Sequence, residues 1–242
     1  MFRPSHLLGL IVLANIAVII FAITLGEVNT GNPSRYFGEG RFTTAISCAQ
    51  LLAVAFFAVC IFRARRRAVT TTSVRPSRFV WLLVAAGFVF LACDDALQIH
   101  EQLDYLIRRA FHLPKTPLTD RIDDALIGVY GLIGLAVLWI CRREVLQFRR
   151  EMQWPLIAGF VCLVLSILCD SATNNRQFLL SIAPDLATAK WLDGWISTGD
   201  GAFMLLGEGF FLAAFALGWR AAASPMPSSL RGKEQPLEVG TP

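Results

Sequence analysis

Apolar residues in this chain do not alternate, and they do not keep to one helix face. They come as continuous runs separated by short polar stretches. Each run approaches the ~20 residues that an α-helix needs to cross a hydrocarbon core of roughly 30 Å. Six runs are read, over residues 7–25, 42–62, 79–99, 125–141, 154–170 and 201–219. The fourth and fifth are short and need an extra turn. The pattern predicts an all-α fold, a polytopic membrane helical bundle of six transmembrane helices occupying residues 1–220 as one domain. Residues 221–242, rich in Pro, Ser and Gly, are expected to form a disordered tail. The first run exceeds the apolar length of a secretory signal and no small-x-small site follows it, so it is read as a span.

The polar stretches set the threading. Lys and Arg near span ends prefer the cytoplasm. The side holding the N-terminus, residues 63–78, residues 142–150 and the tail carries fourteen of the 22 Lys and Arg. Residues 63–78 alone read "RARRRAVTTTSVRPSR". Both termini are therefore predicted inside. The acids run the other way: fourteen of the 18 Asp and Glu belong to outer loops or outer halves of spans. Acids contribute little to topology, so their segregation needs another reason.

Composition agrees with a bilayer as solvent. The chain is 55% hydrophobic and only 17% charged, with mean hydropathy +0.55, against roughly 25% charged in soluble domains. The net charge of +4 follows from the threading and gives no reason to invoke a nucleic acid. The expected partner is the lipid bilayer, and the expected location a cell membrane, most simply a bacterial inner membrane. Cys48, Cys60, Cys93, Cys141, Cys162 and Cys169 all lie within spans, where they serve packing better than a disulfide framework.

Candidate chemistry starts from a repeated tetrapeptide. Asp-Asp-Ala-Leu occurs at Asp94–Leu97 and again at Asp123–Leu126. The first copy closes span three and the second opens span four, so a hairpin brings both to the outer surface. At a rise of ~1.5 Å per residue, Asp94 and Asp170 lie ~24 Å from the inner boundary and Glu208 ~18 Å. Carboxylates at such depth are costly, and by default they mark a functional site facing the bundle interior.

Helical spacing groups them. On a continuous helix, Asp94, Gln98, Glu101 and Tyr105 form one stripe, with Asp95 on the opposite flank and His100 on the side shared with Asp104. Cys162, Ser166, Asp170 and Asn174 form another, and Gly207 and Gly209 bracket Glu208. Asp120 and Asp124 sit one turn apart at the start of span four.

This set is rich in carboxylates and poor in histidine. Of His6, His100 and His112, only His100 lies near the acids, which excludes a bis-histidine haem. There is no Glu-x-x-His pair for a di-iron centre, and no nucleotide loop, nucleophile elbow or Cys-x-x-Cys. Oxygen-rich sites suit Mg²⁺, Mn²⁺ or Ca²⁺, and His100 with two acids would also serve Zn²⁺. The expectation is a divalent-metal-dependent hydrolase acting on a lipid or other outer-leaflet substrate. Asp94, Glu101, Asp124, Asp170 and Glu208 would be ligands, with His100 and Glu101 as acid–base groups. Two other classes share these residues: a non-catalytic assembly or sensor subunit, and an ion or proton carrier. The oily inner halves of spans three to five offer a carrier no continuous path. Before span six, Pro184 and Asp185 read as a helix start, and Trp191 and Trp195 as an interfacial anchor or a lid over the acids.

Overall fold

The computed structural model describes residues 4–38, 40–68, 79–114, 116, 122–146, 150–174 and 176–223. Every regular element among them is helical. The long helices are α1 (Pro4–Thr30), α2 (Phe42–Ala68), α3 (Val80–Leu97), α5 (Ile122–Ile140), α7 (Arg150–Thr173) and α9 (Leu186–Ala223). Shorter pieces connect them: a 3-10 turn (Pro33–Tyr36), α4 (Ile99–Ala110), α6 (Arg142–Val145) and α8 (Arg176–Ile182). The protein is a helical membrane bundle. Five helices (α1, α2, α3, α7 and α9) are long and apolar enough to cross a bilayer, while α5 carries a shorter apolar stretch, Ala125–Ile140. The tail expected at 221–242 falls almost wholly outside the described residues.

Helix α9 is the hub. It packs against α7, α2 and α1, and α2 packs in turn against α3. Close approach depends on its glycines. A Cβ on Gly201 would lie 2.7 Å from Phe37, and one on Gly207 would lie 3.1 Å from the Gly159 carbonyl oxygen. A methyl on Gly159 would sit 2.6 Å from the Phe211 ring. The apolar core lies in the half of the bundle nearest α6. There Val54, Ala58 and Ile61 of α2 meet Trp81 and Ala85 of α3, Met152 and Leu156 of α7, and Phe211 and Phe215 of α9. Phe88 stands edge-on to Phe211 and Phe215, at 5.8 and 5.6 Å between ring centroids.

Two elements differ from the sequence reading. The third span does not run unbroken through residue 99. Gln98 adopts a left-handed conformation (φ 53°, ψ 46°), its N–H closing on the Asp94 carbonyl, and a separate helix α4 starts behind it. Such a φ is uncommon for a side chain other than glycine, and it turns the chain out of line. The sixth span is longer than 201–219. Helix α9 runs for 38 residues, ~57 Å at the α-helical rise. Asp185 caps it, its Oδ1 accepting the Thr188 N–H at 2.7 Å. Trp191 and Trp195, 6.2 Å apart, belong to this same rod and not to a separate helix folded over the acids.

Candidate functional site at the helix break

The left-handed turn at Gln98 swings the start of α4 back over the last turn of α3. Asp94 thereby meets His100 twice. Its Oδ1 accepts the His100 backbone N–H at 3.0 Å and its Oδ2 lies 2.8 Å from ring Nδ1. Both residues are buried, at 5% and 6% exposure. A carboxylate can only accept, so Nδ1 carries the proton of this bond and, in the neutral ring, Nε2 carries the lone pair. One turn along α4, buried Asp104 pairs with Arg108. Tyr130 of α5 comes within electrostatic reach of Asp94 and packs edge-on to Phe90, 5.1 Å between centroids. Helices α3 and α4 thus hold an oriented imidazole, and α5 packs alongside both.

Asp95 faces the other way. Its Oδ2 lies 3.6 Å from the Cys48 thiol of α2, and its charge is felt by Glu208 of α9. Glu208, 4% exposed, accepts the Ser47 hydroxyl of α2 on Oε1 at 2.7 Å. Beside it, Gln50 donates to Asn15 of α1 at 2.7 Å. Helices α7 and α9 are joined by Ser166, which donates to Asp200 at 2.5 Å.

A family model matches residues 7–226, a stretch that takes in nearly all of α1 and everything on to the end of α9. The chain belongs to the family described as domain of unknown function DUF8692. No curated protein and no solved structure matches it.

In this DUF8692 chain the expected ligands do not share one point. Among the described residues no three His, Cys, Asp or Glu side chains gather as metal ligands would. Asp94 is committed to His100. Glu208 sits between α2 and α9. Asp170 stays near the end of α7, accepting from Asn174 at 3.3 Å. Glu101 is exposed, because the turn at Gln98 breaks the stripe that was to align it with Asp94. The side chain of Asp124 lies outside the described residues. The expected flank for Asp95 and the shared face of His100 and Asp104 are both observed.

One polar site was absent from the sequence reading. Glu144 of α6, 2% exposed, accepts the Trp81 indole N–H at 3.2 Å and pairs with Arg65 Nε at 3.1 Å. A lone acid among the arginines of residues 142–150 was the available signal.

Proposed function

We propose that the chain crosses the membrane six times with both termini in the cytoplasm, and that it is a hydrolase of the outer leaflet. The observation that carries this reading is the Asp94–His100 pair. A carboxylate fixing one imidazole nitrogen leaves the other poised to take a proton from water or a hydroxyl, and it stabilises the imidazolium that results. The bond from water oxygen to the substrate's acyl or phosphoryl centre forms as Nε2 takes the proton. The leaving group departs with that proton as the bond breaks. The substrate class is a lipid or another molecule of the outer leaflet, because under this threading the pair lies near that surface. The amphipathic helix α4, with Tyr105 and Leu106 exposed, suits an interfacial position from which such a molecule is reached.

The described residues do not supply a metal's ligand shell, so no step is routed through one. If a divalent ion takes part, His100 Nε2 is the nitrogen that would hold it, with Asp94 behind as the orienting carboxylate.

Purified protein in proteoliposomes of bacterial polar lipid should release new lipid fragments, read by mass spectrometry, with and without Mg²⁺, Mn²⁺, Ca²⁺ or Zn²⁺. His100→Gln should abolish the release. No product from the parent protein under any of these conditions would leave the assembly or sensor subunit as the reading.

A further inference from the structure

Glu208 is buried in the bundle with half of its carboxylate unmet. Oε1 accepts from Ser47, but Oε2 has no hydrogen-bond partner. No ion pair joins it to a described Lys, Arg or His. Three residues along α2 from Ser47, on the same helix face, Gln50 presents a second orphan. Its Nε2 donates to Asn15, and its Oε1 is buried without a partner. Helix α9 is pressed onto this same pair: a Cβ on Gly209 would lie 2.5 Å from Asn15 Nδ2 and 3.5 Å from Gln50 Oε1. Asn15 Nδ2 is itself directed to the Ile11 carbonyl at 3.0 Å.

Helices α1, α2 and α9 therefore meet around buried acceptors, among them a carboxyl group with no described cation beside it, and a second acid, Asp95, lies in electrostatic range. Buried acceptors without donors are costly, and a buried charge without a partner more so. What this arrangement lacks is one positive charge of small size. One carboxylate with neutral amide and hydroxyl oxygens balances a monovalent ion. Divalent ions are commonly held by several carboxylates, and no group of three acid, His or Cys side chains forms among the described residues. Oxygen-only ligands also suit a hard cation over a soft one. We propose that Glu208, Ser47 and Gln50 bind a Na⁺ ion between α2 and α9. This site is separate from the Asp94–His100 pair, and its tests need no substrate.

The test uses the full chain in detergent, melted in NaCl, KCl and choline chloride at one ionic strength, with radioactive sodium binding measured in parallel. Above half-saturation, Na⁺ should raise the melting temperature by a few degrees for each tenfold rise in concentration, and choline should not. Glu208→Gln keeps the Ser47 hydrogen bond but removes the charge, so sodium binding and the Na⁺ response should both disappear. Gln50→Leu should weaken sodium binding by about tenfold, the loss of one neutral ligand. Should Glu208→Gln not fold, sodium binding by the parent and its weakening in Gln50→Leu decide the matter. A parent protein that binds no sodium and melts alike in all three salts overturns the proposal, and a proton would then supply the charge. Undiminished binding in Glu208→Gln overturns it equally.

Discussion

Asp94 and Asp95 are neighbours in the chain and serve opposite sides of α3. Asp94 holds His100 of α4, at 2.8 Å from Nδ1, while Asp95 turns to Cys48 of α2, at 3.6 Å. Successive residues on a helix diverge by about 100°, so one dipeptide contributes to two polar sites, one in the α3–α4–α5 corner and one along α2 and α9.

The two acids should separate in mutants. Under the hydrolase reading, His100→Gln should lower turnover by about 10²–10⁴-fold, the usual worth of a general acid–base group. Asp94→Asn should also lower it, because an amide can donate to Nδ1 and favour the wrong tautomer. Asp95→Asn should act on sodium binding instead, since Asp95 lies against Cys48, next to Ser47 on α2, and within electrostatic range of Glu208. Turnover assays and sodium binding on the same three variants check the assignment. A fall in turnover for Asp95→Asn as deep as that for Asp94→Asn would sink it.

Glu144→Ala should destabilise the protein by roughly 1–3 kcal/mol, the cost of removing an acceptor from the buried Trp81 N–H. Arg65 is 24% exposed and can turn to water, so its loss of a partner adds less. Glu144→Gln can still accept from Trp81 and should cost less than Glu144→Ala. Unfolding in a denaturing detergent series measures both, and equal stability of parent and Glu144→Ala contradicts the contact.

Steric predictions follow from the glycines. Gly159→Ala places a methyl 2.6 Å from the Phe211 ring and 3.0 Å from the Gly207 carbonyl oxygen, and such overpacking costs about 1–3 kcal/mol. Gly87→Ala, with nothing within 4 Å, should be neutral or stabilising, since alanine is the better helix former. The melting temperature should fall for Gly159→Ala and should not fall for Gly87→Ala.

The cap of α9 gives a pH prediction. Asp185 is held below its ordinary carboxylate range because it accepts the Thr188 backbone N–H. A folded-state value below the unfolded one means the stabilisation is present above the unfolded value of about 3.9 and lost as pH falls through the folded one. Asp185→Asn keeps a capping oxygen and should lose this acid sensitivity. Hydrogen exchange at the first turn of α9, followed across acid pH in both proteins, tests it.

The threading is open to reporter fusions at Thr72 and Pro117. They should report opposite compartments, with Thr72 inside. The same compartment for both would undo the outer-leaflet reading.

Much of the fold was legible because the bilayer imposes it. Apolar runs long enough to span leave few choices, and the helix start at Asp185 is a local signal that needs no tertiary context. The site was legible only in part. Glu208 and Ser166 do face the bundle interior as intramembrane polar groups should. The stripe through Glu101 failed because it assumed 100° per residue across Gln98, where one left-handed residue resets the phase. The switch at that point, from uniformly apolar α3 to amphipathic α4, was the trace that the break left in the sequence. Gly207 and Gly209 bracket Glu208, and small residues beside an acid leave room for a partner, a water or an ion. The structure fills that room with packing partners, α7 at Gly207 and Asn15 of α1 at Gly209, because small residues admit neighbouring backbone as readily as a ligand. Trp81 and Glu144 are 63 residues apart, and nothing local links an indole to an acid at that separation.

The central position of α9 also bears on how the molecule is made. Synthesis runs from the N-terminus, so α1, α2 and α7 all emerge before the helix that each of them packs against. Until Leu186 and the residues after it arrive, the polar side chains of Asn15, Ser47 and Ser166 face lipid or one another without their final neighbour. The bundle is therefore assembled around a helix made after those that pack on it. A ribosome halted before α9 should leave the earlier helices inserted but unclosed, and open to capture by quality-control proteases.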